Sequence, residues 1–581
     1  MIRKLTRSIR EYKRDTFLTP VFVILEVIME IIIPLLMARM IDDGITGDDT
    51  GVLTSLGTVL IICVIIGLAA GVLSGAFCAR ASGGFAQNLR QDMYDKIQEY
   101  SFANIDKFST SSIVTRLTTD VMNVQNAFMM IIRVAVRAPF MLVFSLIAAF
   151  SVNARLSLMF FVAIPVLGTG LYIIVHYSHP YFERVFHVYD DLNGVVQENL
   201  SGIRVVKSFV REDFEEKKFA RVSETIYKIF KKAEGIVAFN MPLMQFVVYA
   251  CMLLLSWFGA RMIVSSHATA MTTGELSSMI AYAMSILNCL MMLSMVLVMI
   301  NIAGASTQRI VEILDEESTL KNKENPVTHM DDGTIVFENV GFSYVDETDK
   351  ECLKHLNLTI PSGSTLGIIG GTGCGKSSMV QLIPRLYDVT EGAVTISGVN
   401  VKEYDLFTLR NDVAMVLQKN VLFSGTIKEN LRWGNENATD EEIIHACRLA
   451  QADSFVQTFP DKYDTYIEQG GTNVSGGQKQ RLCIARALLK KPKILILDDS
   501  TSAVDTKTDA LIRKAFREEI PDTTKIIIAQ RISSVQDADQ IIVLDGGMIN
   551  GCGTHEELLK TNAIYKEIYD SQMKGDDRDE Q

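Results

Sequence analysis

The sequence predicts a bundle of six transmembrane helices, with long cytoplasmic helical extensions, fused to an α/β domain. Two patterns support this prediction. The first 310 residues contain six apolar segments, each long enough to cross a bilayer, which takes roughly twenty residues. The rest of the chain has short strand-like runs with helical stretches between several of them. A length of 581 residues also exceeds that of one compact domain.

The composition argues against several classes of protein. A hydrophobic content of 48% is higher than a soluble enzyme needs, and the net charge of −12 argues against nucleic-acid binding, which requires clustered Lys and Arg. The nine cysteines lack the spacing of a disulfide framework or a zinc site.

The predicted spans are separated by connections of alternating length. Those after spans one, three and five are short, whereas those after spans two and four, near 80–132 and 178–237, are long, polar and rich in Lys and Arg. The positive-inside rule therefore places both termini and the two long loops in the cytoplasm. The spans are predicted at 16–40, 53–79, 133–152, 156–177, 238–263 and 276–303.

Residues 1–15 precede the first span and interleave basic with apolar side chains. This pattern predicts an amphipathic helix on the inner membrane surface, and a solvated basic tail is the alternative. The segment is not interpreted as a cleavable signal, because the apolar run after it is too long and lacks a small-residue cleavage site.

A phosphate-binding loop is predicted directly after the strand-like run that ends at Ile369. The loop has the spacing G-x4-G-K-S and leads into a helical stretch. Its glycines let backbone N–H groups surround phosphates, Lys376 supplies a cation and Ser377 can ligate Mg²⁺. Cys374 is interpreted as a tolerated small residue. The predicted nucleotide contacts here are Gly370, Thr372, Gly373, Cys374, Gly375, Lys376, Ser377 and Ser378.

This loop defines the second half as an α/β P-loop nucleotide-binding domain. The predicted organisation is a transmembrane domain over 16–317, a polar linker over 318–332, the nucleotide-binding domain over 333–572 and a polar tail over 573–581. Strands of this domain are predicted at 334–337, 365–369, 393–396, 413–416, 493–497, 525–529 and 541–544.

Two further motifs identify a family. Asp498 ends a hydrophobic strand and is expected to hold Mg²⁺ through water, and the string Val474-Ser475-Gly476-Gly477-Gln478 lies between it and the loop. With these motifs, the chain resembles the ATP-binding cassette (ABC) transporters over essentially its whole length, as an exporter-type half-transporter. The resemblance implies ATP and Mg²⁺ as cofactors. It also implies that Tyr344 stacks on adenine and that Gln418 reaches Mg²⁺.

The resemblance also implies that this chain shares its ATP sites with another subunit. The Val474–Gln478 string would contact the γ-phosphate of a nucleotide held by the opposite subunit, and Asp505 would lie across the interface. In competent sites of the family the residue after the Mg²⁺ aspartate is Glu, and a His stands at the position of Gln530. Here Asp499 replaces the Glu.

Both replacements predict a slow ATP site. The Asp499 carboxylate is one methylene further from the water, and a displacement of about 1 Å can cost on the order of 10²-fold in rate. Gln530 can form hydrogen bonds but cannot take a proton as imidazole does. The chain is therefore similar to the degenerate-site subunit of heterodimeric bacterial multidrug exporters. The alternative at this site is a homodimer in which Asp499 still hydrolyses ATP.

The resemblance implies a location and a set of partners. The chain is expected to be a multi-pass protein of a bacterial plasma membrane with a cytoplasmic ATPase domain, and to pair with a catalytically competent half-transporter. Coupling helices are expected near 103–109 and 208–214, and the second is expected to dock on the partner. The leading function is export of a lipophilic or drug-like substrate. Export of a lipid, peptide or redox cofactor and a non-pumping regulatory role are the alternatives.

The membrane spans offer a few candidate substrate contacts. Glu26 and Glu30 lie four residues apart in span one and, as ionisable groups at membrane depth, are candidates for a cavity that receives cations. Pairing with Arg133 or Arg137 is the alternative. Span six carries Asn288 and Met295 in a stripe that is either an adaptable ligand surface or ordinary packing. Asp42 and Asp43 either help to close an outer gate or are solvated.

Overall fold

The computed structural model describes residues 2–344, 351–500 and 503–579. Two compact units are present. The helical unit contains the chain up to Gln98 and Thr110–Glu316, and the α/β unit contains Glu99–Ser109 together with the chain from Glu317 onward. The short segment Glu99–Ser109 therefore belongs structurally to the α/β unit, although it lies in sequence between two long helices of the other unit.

Long apolar helices form the helical unit. Among the described residues, six helical stretches have the length and apolarity of membrane spans, which confirms the predicted number. Its helices are α1 Ile2–Leu5, α2 Lys13–Arg39, α3 Thr50–Gln98, α5 Thr110–Thr115, α6 Val121–Val152, α7 Ala154–Ser201, α8 Ile203–Ser208, α9 Glu212–Val237, α10 Asn240–Ser266 and α11 Thr273–Asp315.

Several of these helices continue far beyond the thickness of a bilayer. Helix α3 has 49 residues, and at about 1.5 Å per residue it is about 73 Å long, more than twice the roughly 30 Å hydrocarbon core. Helix α7 has 48 residues. These lengths match the predicted helical extensions.

The basic N-terminal segment is helical but is not one helix. A 3₁₀ segment, Thr6–Tyr12, follows α1 and has a kink at Arg10, where φ is +42°. The segment packs on α3: Asn88 Nδ2 donates to the Ser8 carbonyl at 3.0 Å, Ser8 Oγ donates to Asp92 at 2.7 Å, and Arg10 pairs with Asp92. Part of its basic face is thus used within the protein.

Asp42 connects the C-terminal end of α2 to the N-terminal end of α11. It lies in a π-helical turn, Met40–Ile45, that ends α2. Its carboxylate accepts hydrogen bonds from the Thr272 hydroxyl at 2.5 Å and from the Gly274 N–H at 2.9 Å. Asp42 therefore helps to cap the N-terminus of α11, whereas Asp43 is exposed.

The α/β unit is built on a six-stranded sheet in the order β12-β11-β3-β10-β9-β6, beside a four-stranded sheet in the order β2-β1-β4-β5. A two-stranded ribbon pairs β7 with β8. The strands are β1 Ile335–Phe342, β2 Leu353–Ile360, β3 Thr365–Gly370, β4 Glu391–Ile396, β5 Val399–Asn400, β6 Val413–Val416, β7 Gly425–Thr426, β8 Tyr466–Ile467, β9 Ile494–Asp498, β10 Thr524–Ile528, β11 Gln540–Asp545 and β12 Met548–Gly553.

Helices cover the larger sheet, and its central strands are buried on both faces, whereas the edge strand β12 is largely exposed. Along β9, Leu495 and Leu497 belong to one hydrophobic core, whereas Ile494 and Ile496 belong to the other, as the alternation of side chains along a strand requires. The helices of this unit are α4 Phe102–Lys107, α12 Lys376–Gln381, α13 Leu406–Asp412, α14 Ile427–Arg432, α15 Asp440–Leu449, α16 Asp453–Val456, α17 Gly476–Leu488, α18 Thr506–Glu519, α19 His555–Thr561 and α20 Ala563–Asp579.

Each predicted strand overlaps an observed one, but the sequence reasoning missed the strands β2, β5, β7, β8 and β12. The first predicted coupling helix, 103–109, corresponds to α4. The second predicted segment, 208–214, does not form a short helix of its own: it contains the last residue of α8, a turn and the start of α9. In that turn Val210 has a φ of +52°, and a new helix begins at Glu212.

Candidate nucleotide-binding site

The phosphate-binding loop lies between β3 and α12, as predicted from its spacing. Gly373 and Gly375 have φ of +81° and +95°, a region that residues with a Cβ rarely adopt. A Cβ at Gly375 would lie 2.6 Å from the Leu353 side chain, whereas one at Gly373 would meet nothing within 4 Å. The loop is therefore packed on one side and open on the other, where a phosphate would lie.

The polar groups of the loop point to the place expected for phosphate and metal. Lys376 Nζ donates to the carbonyl oxygens of Gly370 at 2.8 Å and Gly371 at 2.7 Å. The Ser377 hydroxyl donates to Asp498 Oδ1 at 3.0 Å. Burial raises the pKa of Asp498 above its ordinary value, against the opposing hydrogen bond from Ser377. Ser377 and Asp498 together present oxygen ligands of the kind that Mg²⁺ prefers.

Asp499 is held by two side-chain amides. Gln530 Nε2 donates to its Oδ2 at 2.7 Å, and Gln418 Nε2 approaches the same oxygen at 3.4 Å. Burial raises the pKa of Asp499 above its ordinary value, although these two hydrogen bonds oppose the shift. The backbone of Asp499 is in the left-handed region, with φ of +48°. The structure therefore brings the two replaced positions, Asp499 and Gln530, into direct contact.

Gln572 supports this contact and was not found from the sequence. It lies on α20, where its amide nitrogen donates to the Gln530 carbonyl at 2.8 Å and its amide oxygen accepts from the Ile532 N–H at 2.9 Å. Because Gln572 is 42 positions from Gln530 in a polar helix, no local motif marks it.

Tyr344 lies beside the loop, as expected for a residue that stacks on adenine. Its hydroxyl is 2.9 Å from Ser378 Oγ and donates to Gln381 Oε1 at 3.3 Å. Tyr387, which the sequence reasoning did not single out, contacts Tyr344 edge to face with 5.2 Å between the ring centroids.

The Val474–Gln478 string forms the exposed N-terminus of α17. Ser475 Oγ accepts from the Gln478 N–H at 3.3 Å, and Gln478 Oε1 accepts from the Ser475 N–H at 2.9 Å, so the two residues form a capping box. Ser475 and Gly476 are exposed, and Val474 is partly buried. A 13-residue helix thus directs its free N–H groups outward, which suits an anion.

Asp505 caps the N-terminus of α18. Its carboxylate accepts from the Thr508 N–H at 2.9 Å, and this bond lowers the pKa of the exposed Asp505. As an N-cap it has a structural role in addition to the one that the resemblance implies.

MgATP fits this set of residues. An open glycine loop at the start of a helix, a lysine, and a hydroxyl next to a carboxylate are together the groups that bind phosphates and Mg²⁺. Gln418 contacts Asp499, which directly follows Asp498 in the chain.

The candidate substrate residues lie in the helical unit. Arg137 bridges the two glutamates: Nη1 donates to Glu26 at 2.7 Å and Nη2 to Glu30 at 2.7 Å. Of the two alternatives, the ion pair with Arg137 is therefore present, while the Glu30 side chain remains 44% exposed. Asn288 and Met295 are both exposed on α11.

Comparison with known proteins identifies the class. The model of the ABC transporter transmembrane region matches residues 16–291, and the ABC transporter model matches residues 353–502. The chain is 37% identical to the uncharacterized ABC transporter ATP-binding protein YfiB of Bacillus subtilis (strain 168), over 92% of both chains. The protein belongs to the ABC transporter family.

Two further similarities refine this result. The chain is 32% identical to the ATP-dependent lipid A-core flippase of Desulfotalea psychrophila (strain LSv54 / DSM 12343), over 85% of both chains. Its fold matches the structure of a bacterial Atm1-family ABC exporter with ATP bound, with a TM-score of 0.82 and 23% identity over 97% of this chain and 98% of that one. The chain is thus a membrane-spanning half-transporter with an ATP-binding domain and the exporter fold.

Proposed function

We propose that the protein is the ATP-binding subunit of a heterodimeric exporter and hydrolyses ATP slowly at its own site. The observation that carries this proposal is the contact of the Asp499 carboxylate with Gln530 at 2.7 Å and with Gln418 at 3.4 Å. A general base must accept a proton from water, and here the amide of Gln530 occupies an oxygen that would do so. Neither amide can take up that proton.

The binding residues contrast with this weak catalytic pair. Lys376 would neutralise phosphate charge, Ser377 and Asp498 would hold Mg²⁺, Tyr344 would stack on adenine, and Gln418 would reach the metal. Bound MgATP supplies the phosphoanhydride whose cleavage drives the transport cycle. In this subunit, tight binding and slow cleavage are expected to keep nucleotide in place over several cycles of the other site.

The α17 terminus gives the subunit a role in the partner's site. Ser475 and Gly476 are exposed at the start of that helix, and the Gly476 N–H and the Ser475 hydroxyl are suited to the γ-phosphate of a nucleotide bound by the partner. The partner then supplies a phosphate-binding loop and a catalytic glutamate. This arrangement places fast hydrolysis at the partner's nucleotide.

For the substrate, we propose a lipophilic or drug-like cation. Two carboxylates surround one guanidinium at Glu26, Glu30 and Arg137, so the cluster retains a negative charge. Glu26 Oε2 is buried and has no hydrogen-bond partner among the described residues, which favours a ligand that carries a donor. The exposed Met295 and Asn288 offer an adaptable surface for apolar groups. The plasma membrane of a bacterium, with the ATPase domain in the cytoplasm, is the proposed location.

Lipid export is the second candidate function. It is favoured by the 32% identity to a lipid A-core flippase. Substrate-stimulated ATPase assays on the purified pair, with cationic amphiphiles and with lipids as separate series, distinguish the two.

The slow site is tested by symmetric substitutions in the purified pair. Replacement of the partner's catalytic glutamate by glutamine is expected to abolish ATP turnover, while Asp499→Asn in this chain leaves most of it. ATP turnover and nucleotide affinity are measured for both pairs. Equal losses of turnover would refute the assigned asymmetry.

A further inference from the structure

Helix α4 is built into the α/β unit by a buried side-chain network. Asn104 is 2% exposed. Its amide nitrogen donates to the Glu317 carbonyl at 3.0 Å, and its amide oxygen accepts from the Thr319 N–H at 3.2 Å. The Ser101 hydroxyl lies 2.7 Å from the Thr319 hydroxyl. Helix α4 is also joined covalently to α3 and α5 of the helical unit.

Tyr387 connects α4 with the nucleotide site. Its hydroxyl donates to Asp106 Oδ2 of α4 at 2.5 Å, and its ring lies 6.2 Å from the ring of Phe102, also on α4. On its other side the same ring meets Tyr344 at 5.2 Å and Phe342 at 5.7 Å. One side chain therefore contacts both the helix and the residue expected to stack on adenine.

The chemistry of Tyr387 keeps this connection intact at physiological pH. Burial raises the pKa of the Tyr387 phenol well above its ordinary value, and the hydrogen bond to Asp106 raises it further. The phenol therefore stays protonated and continues to donate to the carboxylate.

Tyr344 is positioned to respond to nucleotide. Its hydroxyl shares a hydrogen bond with the Ser378 hydroxyl. Ser378 directly follows Lys376 and Ser377 of the phosphate-binding loop. A phosphate bound at this loop would compete for the Ser378 hydroxyl, and a stacked adenine would fix the orientation of the Tyr344 ring. Both effects would change the edge-to-face contact with Tyr387.

We propose that Tyr387 is a positioning residue that transmits nucleotide occupancy from Tyr344 to α4 through its hydrogen bond to Asp106. This inference rests on the proposed function, in which the site binds nucleotide but cleaves it slowly. Nucleotide binding would then affect α4 without hydrolysis. Binding alone then biases α3 and α5 through α4.

The test uses the full-length chain with its partner in lipid nanodiscs and AMP-PNP with Mg²⁺ as the nucleotide probe. Hydrogen exchange is followed in α4 and in the adjoining ends of α3 and α5, with and without nucleotide. Nucleotide affinity of this chain's site is measured in parallel, with the partner's loop lysine replaced. Tyr387→Phe removes only the hydroxyl. It is expected to leave affinity within about two-fold of wild type and to remove at least half of the nucleotide-dependent change in exchange.

Two matched variants separate transmission from a merely structural role. Asp106→Asn keeps an acceptor for the phenol and is expected to behave as wild type, whereas Asp106→Leu is expected to reproduce Tyr387→Phe. Tyr463→Phe is the control, because the Tyr463 hydroxyl donates to Asp453 at 2.7 Å in the same unit, away from α4. It is expected to keep the full nucleotide-dependent change.

Two results would overturn the proposal. One is a full exchange response in Tyr387→Phe with normal affinity, and the other is a loss of affinity that accounts for the whole loss of response. AMP-PNP is not hydrolysed, so neither result depends on how fast the site cleaves ATP. Fast hydrolysis at this site, measured separately, would count against the proposed function alone.

Discussion

At the residue scale, the proposed slow hydrolysis depends on two side chains of this ATP site. Asp499 and Gln530 contact each other at 2.7 Å, and Gln418 approaches the same carboxylate oxygen at 3.4 Å. Replacing either one alone leaves an unsuitable neighbour. Both changes together are needed to restore a carboxylate that reaches water and an imidazole that can carry a positive charge.

The double replacement Asp499→Glu with Gln530→His is therefore expected to activate this site. In a pair whose other site is inactivated by replacement of the partner's catalytic glutamate, we expect ATP turnover to rise by about 10-fold or more, since a misplacement of about 1 Å costs on the order of 10²-fold. Phosphate release is the measurement. Asp499→Glu alone is the control and is expected to gain less. Unchanged turnover with normal ATP binding would contradict the explanation.

The ionised Asp498 carboxylate is expected to bind the metal but to lower the stability of the fold. Its pKa is raised by burial, so the fold disfavours the ionised carboxylate. The free-energy cost of keeping the ionised Asp498 carboxylate in the folded state is present at neutral pH. It disappears as pH falls through the raised pKa and the carboxylate is protonated. Asp498→Asn removes the charge and keeps an oxygen that can accept from Ser377. Without nucleotide, we expect the variant's unfolding temperature at pH 7.5 to rise by about 1–3 °C.

Thermal unfolding of the full chain at pH 7.5 and pH 5, with and without MgATP, checks this prediction. The difference between Asp498→Asn and wild type should narrow at the lower pH, and MgATP should stabilise only wild type. A lower unfolding temperature of the nucleotide-free variant at pH 7.5 would show that the carboxylate stabilises the fold.

At the scale of elements, the outer ends of α2 and α11 depend on one carboxylate. Asp42 accepts from Thr272 and Gly274, so Asp42→Ala leaves two donors at the start of α11 without this acceptor. Loss of such a cap typically costs about 0.5–2 kcal/mol. We expect faster hydrogen exchange over the first two turns of α11, with little change elsewhere.

Asp43→Ala is the matched control for this prediction. It removes the same charge one position later, from an exposed side chain. Exchange at the start of α11 should match wild type. If both variants accelerate exchange equally, the effect comes from the charge of the loop and not from the cap.

Local patterns explain which elements could be predicted. The spans and the buried strand β9 are continuous apolar runs, and the loop after β3 has a spacing that fixes its neighbours. Strand β2 alternates buried and polar residues from Leu356 to Ile360, but Lys354 and His355 are both exposed and interrupt the alternation near its start. The interruption coincides with an irregular pairing to β1, and the alternating part that remains is short. The contact of Tyr387 with Asp106 joins residues 281 positions apart and has no local signal.

The candidate site likewise contains residues that local motifs predict and contacts that they do not predict. Motif spacing predicted the loop and Asp498, whereas the roles expected of Asp499 and Gln530 came from the resemblance to the ABC transporters. Motif spacing did not predict that Gln530 would bind Asp499 directly, because that contact depends on the pairing of β9 with β10. It also did not predict that Gln572 would hold the Gln530 backbone, because that contact depends on how α20 packs. The pairing of Glu26 and Glu30 with Arg137 likewise required the relative rotation of α2 and α6, which the helical periodicity leaves open.

At the scale of the whole molecule, the proposed function gives the chain the parts of two half-sites. The phosphate-binding loop and Asp498 form one, and the exposed α17 terminus with Ser475 and Gly476 forms the other. A pair of identical chains would combine this α17 terminus with two slow sites. A pair with a competent partner would combine it with one fast site, and only that pair is expected to turn over rapidly.

The isolated chain, reconstituted alone in lipid vesicles, is therefore expected to bind MgATP but to hydrolyse it at least about 10-fold more slowly than the pair, since the misplaced carboxylate limits the rate. Phosphate release per chain and fluorescent-nucleotide binding are measured on the same vesicles. The Asp499→Glu, Gln530→His chain alone is the control: if it self-associates and gains activity, the low rate of the wild-type chain reflects chemistry and not failure to pair. Rapid hydrolysis by the wild-type chain alone would contradict a dependence on a competent partner.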